Sequence, residues 1–204
     1  MFLEENYYKH DKISLKETIL YLKQDNKVRM RFLDKSPNLA NTIASLLSPN
    51  MMVITSYRLA HYFLGKKLSF LARILYNLSI IFFGCEILPC CEIGPGFFLG
   101  HVVGTLILAK IGKNACIYGK VTIGGRGEKI CDKGWLGGPV IGDNVTIGIG
   151  ATILGHFRIG DNVFIKTMSL VTDALPDNAI AGGIPAIVSK KKRTKSNNDG
   201  AEVK

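Results

Sequence analysis

Two residues near the middle of the sequence, Glu86 and His101, have the side chains that a proton transfer needs. His101 lies in the segment FFLGHVVG (97–104), and a neutral imidazole accepts a proton from a hydroxyl group near pH 7. A carboxylate beside the ring would hold its tautomer, and Glu86 precedes His101 by 15 residues. The alternative is structural: Glu86 would cap the end of a folded element, and His101 would be an ordinary surface residue.

Both residues lie at the start of a six-residue repeat that runs from residue 87 to residue 171. Twelve of its thirteen positions are aliphatic: Ile87, Ile93, Leu99, Thr105, Ile111, Ile117, Ile123, Ile141, Ile147, Ile153, Ile159, Ile165 and Val171, with Thr105 the exception. A period of six matches neither an α-helix nor an alternating strand, and it is typical of a β-helix. Three hexads make one triangular turn, so Glu86 and His101 are separated by almost one turn and stacking would bring them near each other.

The repeat is interrupted between Ile123 and Ile141 by the segment GGRGEKICDKGWLGGP (124–139). Lys129 and Trp135 occupy positions there that should be aliphatic. We therefore expect a glycine-rich loop extruded from the β-helix, and such loops are frequent sites of binding.

The residues before the repeat predict helices, and the fold class is α+β. Helices are expected at about 15–32, 38–47, 51–63 and 68–82, with Ser14 as an N-cap and Ser48-Pro49 as a stop. We expect an N-terminal helical region (1–84), a β-helix with an extruded loop (85–188) and a basic, disordered tail (189–204). The helices would shield the end of the β-helix and build an oligomer interface.

Composition limits the partners and the compartment. The net charge is +10, and part of it lies in the tail segment SKKKRTK (189–195). Without a nucleic-acid-binding motif, this charge favours cofactor phosphates or peripheral contact with an anionic membrane surface over nucleic acid. The N-terminus has no signal-peptide pattern and the five cysteines have no CxxC spacing, so we expect a cytoplasmic protein. No metal is expected, because the repeat holds only His101 and His156.

Four segments together resemble the serine acetyltransferase family of left-handed β-helix hexapeptide acyltransferases. They are YRLAHYFLGKKLSFLARILYN (57–77), EILPCCEIGPGFFLGH (86–101), VTIGGRG (121–127) and AGGIPAIV (181–188). The resemblance implies a left-handed coil, acetyl-CoA as the donor, and a homotrimer, or a dimer of trimers, with sites between subunits. By position, the family's catalytic histidine falls on His101 and its paired acid on Glu86, where the family usually has Asp.

The resemblance also implies a coenzyme A site. By position, Gly125, Ile149 and Thr167 would line the pantetheine slot. The family's arginine after the Pro-Ala step is replaced by Ile187, so Lys190 and Lys191 are expected to bind the phosphates instead.

Three departures from the family concern the groups that hold serine. The Asp before the catalytic histidine is Gly100, the Arg-His pair of the central loop falls on Gly137-Gly138, and the helical Asp-Pro appears as Ser36-Pro37. Without these groups the charged ends of a free amino acid would be unpaired. We therefore expect an acceptor pocket formed by Gly100, Arg126 and Trp135, which suits a sugar ring.

The expected function is an acetyl-CoA-dependent O-acetyltransferase acting on a sugar hydroxyl. The pattern resembles the family's polysaccharide O-acetyltransferase branch, whose acceptors are capsule or O-antigen sugars or their precursors. Two alternatives are open: a serine O-acetyltransferase of cysteine biosynthesis, and a non-catalytic trimeric scaffold.

Overall fold

The computed structural model describes residues 13–36, 38–125 and 138–191. Its helices are α1 (Leu15–Phe32), α2 (Leu39–Leu46), α3 (Pro49–Gly65) and α4 (Ser69–Phe83). Ser14 caps α1 in a capping box with Glu17, as expected. The Ser48-Pro49 pair does more than end a helix. Ser48 is also the N-cap of α3 and Pro49 lies in its first turn, where a missing N–H costs nothing.

A parallel β-helix follows the helices, as the six-residue repeat predicts. Its strands are β1 (Cys85–Ile87), β2 (Glu92–Ile93), β3 (Phe98–Leu99), β4 (Thr105–Ile107), β5 (Lys110–Ile111), β6 (Cys116–Ile117), β7 (Thr122–Gly124), β8 (Val140–Ile141), β9 (Thr146–Ile147), β10 (Thr152–Leu154), β11 (Arg158–Ile159), β12 (Phe164–Ile165), β13 (Leu170–Val171), β14 (Ala179–Gly182) and β15 (Ile187–Lys191). Sheet A stacks β1, β4, β7, β10 and β13; sheet B stacks β2, β5, β8 and β11; sheet C stacks β3, β6, β9, β12, β14 and β15.

The core is a set of aliphatic columns, one for each sheet. In sheet C, Leu99 pairs with Ile117 and Ile117 with Ile147, and all three are almost completely buried. Burying an aliphatic side chain of this size stabilises the fold by about 1.5–3 kcal/mol. The columns therefore supply most of the driving force for coiling.

One position of the predicted repeat is wrong. In sheet A, Ile87 pairs with Ile107 rather than Thr105, and Ile107 pairs with Ile123. The corner between β3 and β4 therefore has two residues more than the hexad period allows, and the next corner has two fewer. Thr105, the one non-aliphatic repeat position, marks this local shift.

The corner that connects sheet B to sheet C, which we call the B–C corner, is a hydrogen-bonded ladder. Asparagine side chains bond to one another from turn to turn: Asn114 to Asn144 (3.1 Å), Asn144 to Asn162 (3.2 Å) and Asn162 to Asn178 (3.2 Å). Aspartates beside them accept backbone N–H groups of the preceding turn: Lys113 to Asp143 (2.7 Å), Asp143 to Asp161 (2.9 Å) and Asp161 to Asp177 (2.8 Å). The Asn residues have positive φ, a conformation that Asn tolerates.

Helix α3 joins the helical region to the first turn through buried polar contacts. The Tyr57 hydroxyl donates to the Cys91 carbonyl at 2.7 Å, and Arg58 donates to the carbonyls of Ile93 and Gly94. Arg58 also forms an ion pair with Asp25 of α1 at 3.0 Å, with both side chains buried. Burial raises the pKa of Asp25, and Arg58 opposes that shift.

The last strand extends into the predicted tail. β15 pairs antiparallel with β14, and its backbone continues to Lys191. Residues 189–191 are therefore part of sheet C, and the rest of the tail lies outside the described residues. None of the described helices is long and apolar enough to cross a bilayer.

Candidate active site

His101 lies on the corner that leads from sheet C to sheet A, which we call the C–A corner. Its backbone N–H donates to the Tyr118 carbonyl at 2.9 Å, while its imidazole is exposed. Residues 100–104 of this corner include the two residues by which the chain exceeds the six-residue period. His101 lies among them. His101 therefore lies within a local departure from the repeat, with its side chain at the surface.

Gly119 allows His101 to stack on the next turn. Gly119 has a φ of +125°, and a Cβ at this position would lie 2.7 Å from both the Cβ and the carbonyl oxygen of His101. Real Cβ atoms do not approach other atoms so closely. The position therefore needs glycine both for its backbone conformation and for the space that His101 occupies.

Gly100 is packed equally tightly. A Cβ there would lie 2.9 Å from the Tyr118 carbonyl oxygen and 3.2 Å from the Tyr118 Cα. The predicted acceptor residue thus lines the site with its backbone, and a side chain at this position would require the Tyr118 backbone to shift.

Asn50, which the sequence did not indicate, holds this segment from the helical side. Its Nδ2 group donates to the carbonyls of Leu99 (2.8 Å) and Gly100 (2.6 Å). Because α3 begins at Pro49, the Asn50 side chain is in the first turn of a helix that packs on the β-helix. No local pattern could have identified it, since its partners are about fifty residues away in the sequence.

These residues enclose a cleft of about 550 Å³ beside His101. It is lined by Pro49, Asn50, Gly100, His101, Val102, Val103, Gly119, Lys120 and Ile149. Among these lining residues Lys120 is the only permanent cation, and none is a carboxylate. The cleft has the size of a small-molecule site, and its lining is mostly apolar.

Glu86 does not contact His101 in this structure. Its carboxylate accepts a hydrogen bond of 2.5 Å from the Tyr76 hydroxyl of α4, and no hydrogen bond joins it to His101 within the described residues. Burial and the Glu86 carboxylate together raise the pKa of Tyr76. The Glu86 carboxylate, which the sequence predicted would orient His101, is therefore hydrogen-bonded to Tyr76 instead.

Comparison with known proteins gives the family. The profile of the bacterial transferase hexapeptide family (six repeats) matches residues 138–173. The serine acetyltransferase of Bacillus pumilus strain SAFR-032 is 36% identical over 169 residues, which cover 81% of this chain and 76% of that protein. That of Helicobacter pylori strain J99 is 37% identical over 150 residues, covering 72% and 85%. The chain belongs to the serine acetyltransferase family.

A solved member of the family has the same fold. The serine acetyltransferase of Brucella abortus strain S19 in complex with coenzyme A superposes with a TM-score of 0.76 at 28% identity, covering 88% of this chain and 70% of that one. The family resemblance seen in the sequence is therefore confirmed. All three relatives carry the name serine acetyltransferase, and they give no support to the polysaccharide branch.

Two of the residues expected to line the coenzyme slot share the C–A corner with His101. Ile149 lies one turn beyond Gly119, and Thr167 lies one turn beyond Ile149, where the Met168 N–H donates to the Ile149 carbonyl at 2.9 Å. Both side chains are exposed. His101, Ile149 and Thr167 thus follow one edge of the β-helix.

The other predicted site residues are elsewhere or outside the described residues. Gly125 follows β7, at the opposite end of the sheet A strand from the C–A corner. Lys190 and Lys191 belong to β15, where their backbones pair with Ile180 and Ala179. Arg126 and Trp135 lie outside the described residues, and so does Gly137.

A second cleft, of about 530 Å³, covers the outer face of sheet B beside α1. Its charged side chains form ion pairs, with Lys110 2.9 Å from Glu92 and Arg158 3.8 Å from Asp161. It contains none of the predicted site residues. Among the described residues there is no group of three or more His, Cys, Asp or Glu that could hold a metal ion.

Proposed function

We propose that this protein is an acetyl-CoA-dependent O-acetyltransferase in which His101 is the general base. The observation that carries the proposal is the position of His101, exposed on the C–A corner and open to a cleft of about 550 Å³. The names of its relatives support acetyl transfer, and the Brucella relative was solved with coenzyme A.

The reaction needs one base and no covalent enzyme intermediate. His101 takes the proton of the acceptor hydroxyl while the oxygen attacks the thioester carbonyl of acetyl-CoA. The carbon–sulfur bond then breaks, and the proton held by His101 passes to the departing thiolate of coenzyme A. The products are an acetyl ester and free coenzyme A.

L-serine is the acceptor that the comparisons favour. The Bacillus, Helicobacter and Brucella relatives are all named for serine, so the serine alternative that the sequence left open has the stronger support. Lys120 would pair with the carboxylate of the amino acid at the mouth of the cleft.

A sugar hydroxyl is a second candidate, favoured by the lining of the cleft. The described lining has no carboxylate to pair with the ammonium group of serine, and Gly100 takes the position where the family resemblance implies an Asp. An ammonium group left unpaired in the cleft costs about 1–3 kcal/mol or more, whereas a neutral hydroxyl-rich acceptor avoids this cost. Arg126 and Trp135 of the loop would then face the ring.

The donor would lie along the C–A corner. Ile149 and Thr167 continue this edge from His101, so an extended pantetheine arm would run beside them. Gly125 is on a different corner, and we propose that a neighbouring subunit of a homotrimer supplies it. Lys190 and Lys191 are proposed to bind the coenzyme phosphates.

Thiol release from acetyl-CoA tests both acceptors. The full chain is incubated with acetyl-CoA and with L-serine, a nucleotide-sugar panel, an oligosaccharide panel or no acceptor, and each product is checked by mass for one added acetyl group. Release with serine alone supports a serine acetyltransferase, and release with sugars alone supports the second candidate. No acetylated product with any acceptor, although coenzyme A binds by calorimetry, would favour a non-catalytic scaffold.

A further inference from the structure

Helix α4 presents an unusually apolar face to the outside. Its fully buried residues are the small side chains Ala72 and Ser79. Its large apolar side chains recur every three or four residues on the opposite side: Phe70 (75% exposed), Leu71 (39%), Ile74 (40%), Leu78 (40%), Ile81 (74%) and Phe82 (71%). We call these six residues the α4 apolar face. Scattered exposed apolar residues are ordinary, but a continuous stripe marks a surface that binds something.

The surroundings of this face are cationic. The sequence has no Asp or Glu between Asp34 and Glu86, and Lys66, Lys67 and Arg73 are all exposed. The two lysines directly follow the last residue of α3, where the helix dipole favours positive charge, and they precede the N-terminus of α4, where it does not. Whatever they contribute to α3, they leave exposed positive charge beside the apolar face.

The next carboxylate in the sequence, Glu86, is hydrogen-bonded on another side of α4. Glu86 is bonded to Tyr76, which is on the side of α4 away from the apolar stripe. Exposed positive charge therefore lies on α4 (Arg73) and just before it (Lys66 and Lys67), beside the exposed aromatic and aliphatic side chains.

We propose that the α4 apolar face docks this protein on the surface of a lipid bilayer with anionic headgroups. Phe70, Ile81 and Phe82 would enter the boundary between headgroups and acyl chains, and the cations would contact the headgroups. At 15 residues, α4 is about 22 Å long. This is shorter than a bilayer core of about 30 Å, so the helix would lie in the interface.

A second copy of the chain fits this face less well. Two copies meeting here would each bring Lys66, Lys67 and Arg73, with no acidic residue from positions 35–85 to offset them. Like charges would then face each other in a region of low dielectric, where their repulsion is strong.

Docking would leave the candidate active site open. No α4 residue is among those that line the His101 cleft. The inference is therefore independent of the proposed function, and it holds for either acceptor.

Vesicle co-sedimentation of the full chain tests the proposal. We expect binding to vesicles of phosphatidylglycerol and phosphatidylcholine, little binding to phosphatidylcholine alone, and weaker binding as salt increases. Equal binding to both vesicle types, or none to the anionic ones, would overturn the proposal.

Two variants separate the apolar and the electrostatic contributions. The double substitution Phe70→Ser/Ile81→Ser should weaken vesicle binding at least tenfold, because it removes the two most exposed side chains of the face. Lys66→Gln/Lys67→Gln should weaken it about 25-fold on anionic vesicles, at about fivefold for each basic side chain. Ile184→Ser, equally exposed at 73% but on the β-helix, is the matched control and should bind as the parent does.

The same variants exclude other causes. Undiminished binding of Phe70→Ser/Ile81→Ser would assign the vesicle contact to the basic tail and overturn the role of α4. Its oligomeric mass by sedimentation velocity without lipid should equal that of the parent protein. A smaller mass would show that the face is a subunit interface, which also overturns the proposal.

Discussion

Two corners of the β-helix, B–C and C–A, both turn the backbone from one sheet to the next, but their side chains differ. At the B–C corner the same Asp-Asn pair recurs at 143–144, 161–162 and 177–178. The Asn side chains bond to one another from turn to turn, and each Asp carboxylate accepts a backbone N–H group of the preceding turn. At the C–A corner the equivalent positions hold His101, Gly119, Ile149 and Thr167, which share no chemistry. One corner repeats its residues, and the other does not.

The backbone does not explain this difference. The C–A corner also uses positive φ angles, at Lys120 (51°), Gly150 (72°) and Met168 (53°), as the asparagines of the B–C corner do. What differs is where the side chains find partners. The B–C ladder satisfies its polar groups internally, whereas the C–A side chains extend into the cleft or into solvent. The fold therefore sets residue identity at the first corner, whereas at the second it leaves the side chains free for the ligand that we propose.

The largest effect should come from removing the histidine of the C–A corner. His101→Ala should lower kcat by about 1,000-fold, within the range for the loss of a general base, with little change in the melting temperature because the imidazole is exposed. Steady-state thiol release and calorimetric titration with coenzyme A would measure turnover and donor binding separately.

The matched control is the other histidine of the β-helix. His156 is equally exposed but lies on the corner between sheets A and B, so His156→Ala should keep full turnover. Equal losses in both variants, or retained turnover in His101→Ala, would contradict the assignment of the base.

At the B–C corner we expect a substitution to lower the stability of the protein without lowering its turnover. Asn144→Ala should lower the free energy of unfolding by about 2–3 kcal/mol, because it removes two side-chain hydrogen bonds and forces alanine into a positive φ. Turnover at a permissive temperature should not change. Urea unfolding followed by circular dichroism provides the measurement.

Asn144→Gly separates the two causes. Glycine tolerates the φ of 57°, so only the ladder bonds are lost and the cost should be about 1 kcal/mol. If both variants unfold at the same urea concentration, backbone conformation does not contribute, and the comparison of the two corners must be revised.

The sequence predicted the repeating parts of the fold well, for a physical reason. Each inward aliphatic residue packs on its own equivalent in the next turn, so a local period reports a long-range contact. It failed at Thr105, because the two extra residues after Leu99 and the two missing after Ile107 cancel over one turn. The six-residue period resumes at Ile111. The spacing of the aliphatic residues on either side therefore gives no sign of the shift.

The candidate site could be predicted only in part. The family resemblance indicated His101, Ile149 and Thr167 by position, and the structure places all three on one corner. The contact of Asn50 with the Gly100 carbonyl depends on how α3 packs against the β-helix, which no period encodes. The hydrogen bond of Glu86 with Tyr76 likewise depends on the placement of α4.

A substitution of Asn50 tests the C–A corner and should lower kcat less than His101→Ala does. Asn50→Ala removes the donor that holds the Leu99 and Gly100 carbonyls, so His101 should lose orientation. We expect kcat to fall about tenfold, because a small misplacement of a catalytic group is costly, with donor affinity unchanged. Asn77→Ala, an exposed asparagine of α4, is the control. A loss of stability without a change in kcat would assign Asn50 to the fold alone.

The smallest effect concerns pH, and it separates the stability of the protein from its turnover. Burial lowers the pKa of His61, although its Nδ1 group donates to the Pro89 carbonyl at 2.8 Å. The folded protein therefore keeps this imidazole neutral, while the unfolded chain takes up a proton near its ordinary pKa of about 6.5. The stabilisation is complete above that pH and decreases as the pH falls below it, at no more than about 1.4 kcal/mol per pH unit.

The melting temperature should thus be lower at pH 5.5 than at pH 7.5, and His61→Gln should flatten that dependence while His101→Ala leaves it unchanged. If His101→Ala flattened the profile instead, the exposed corner would be contributing to stability, and the contrast between a structural and a functional corner would fail.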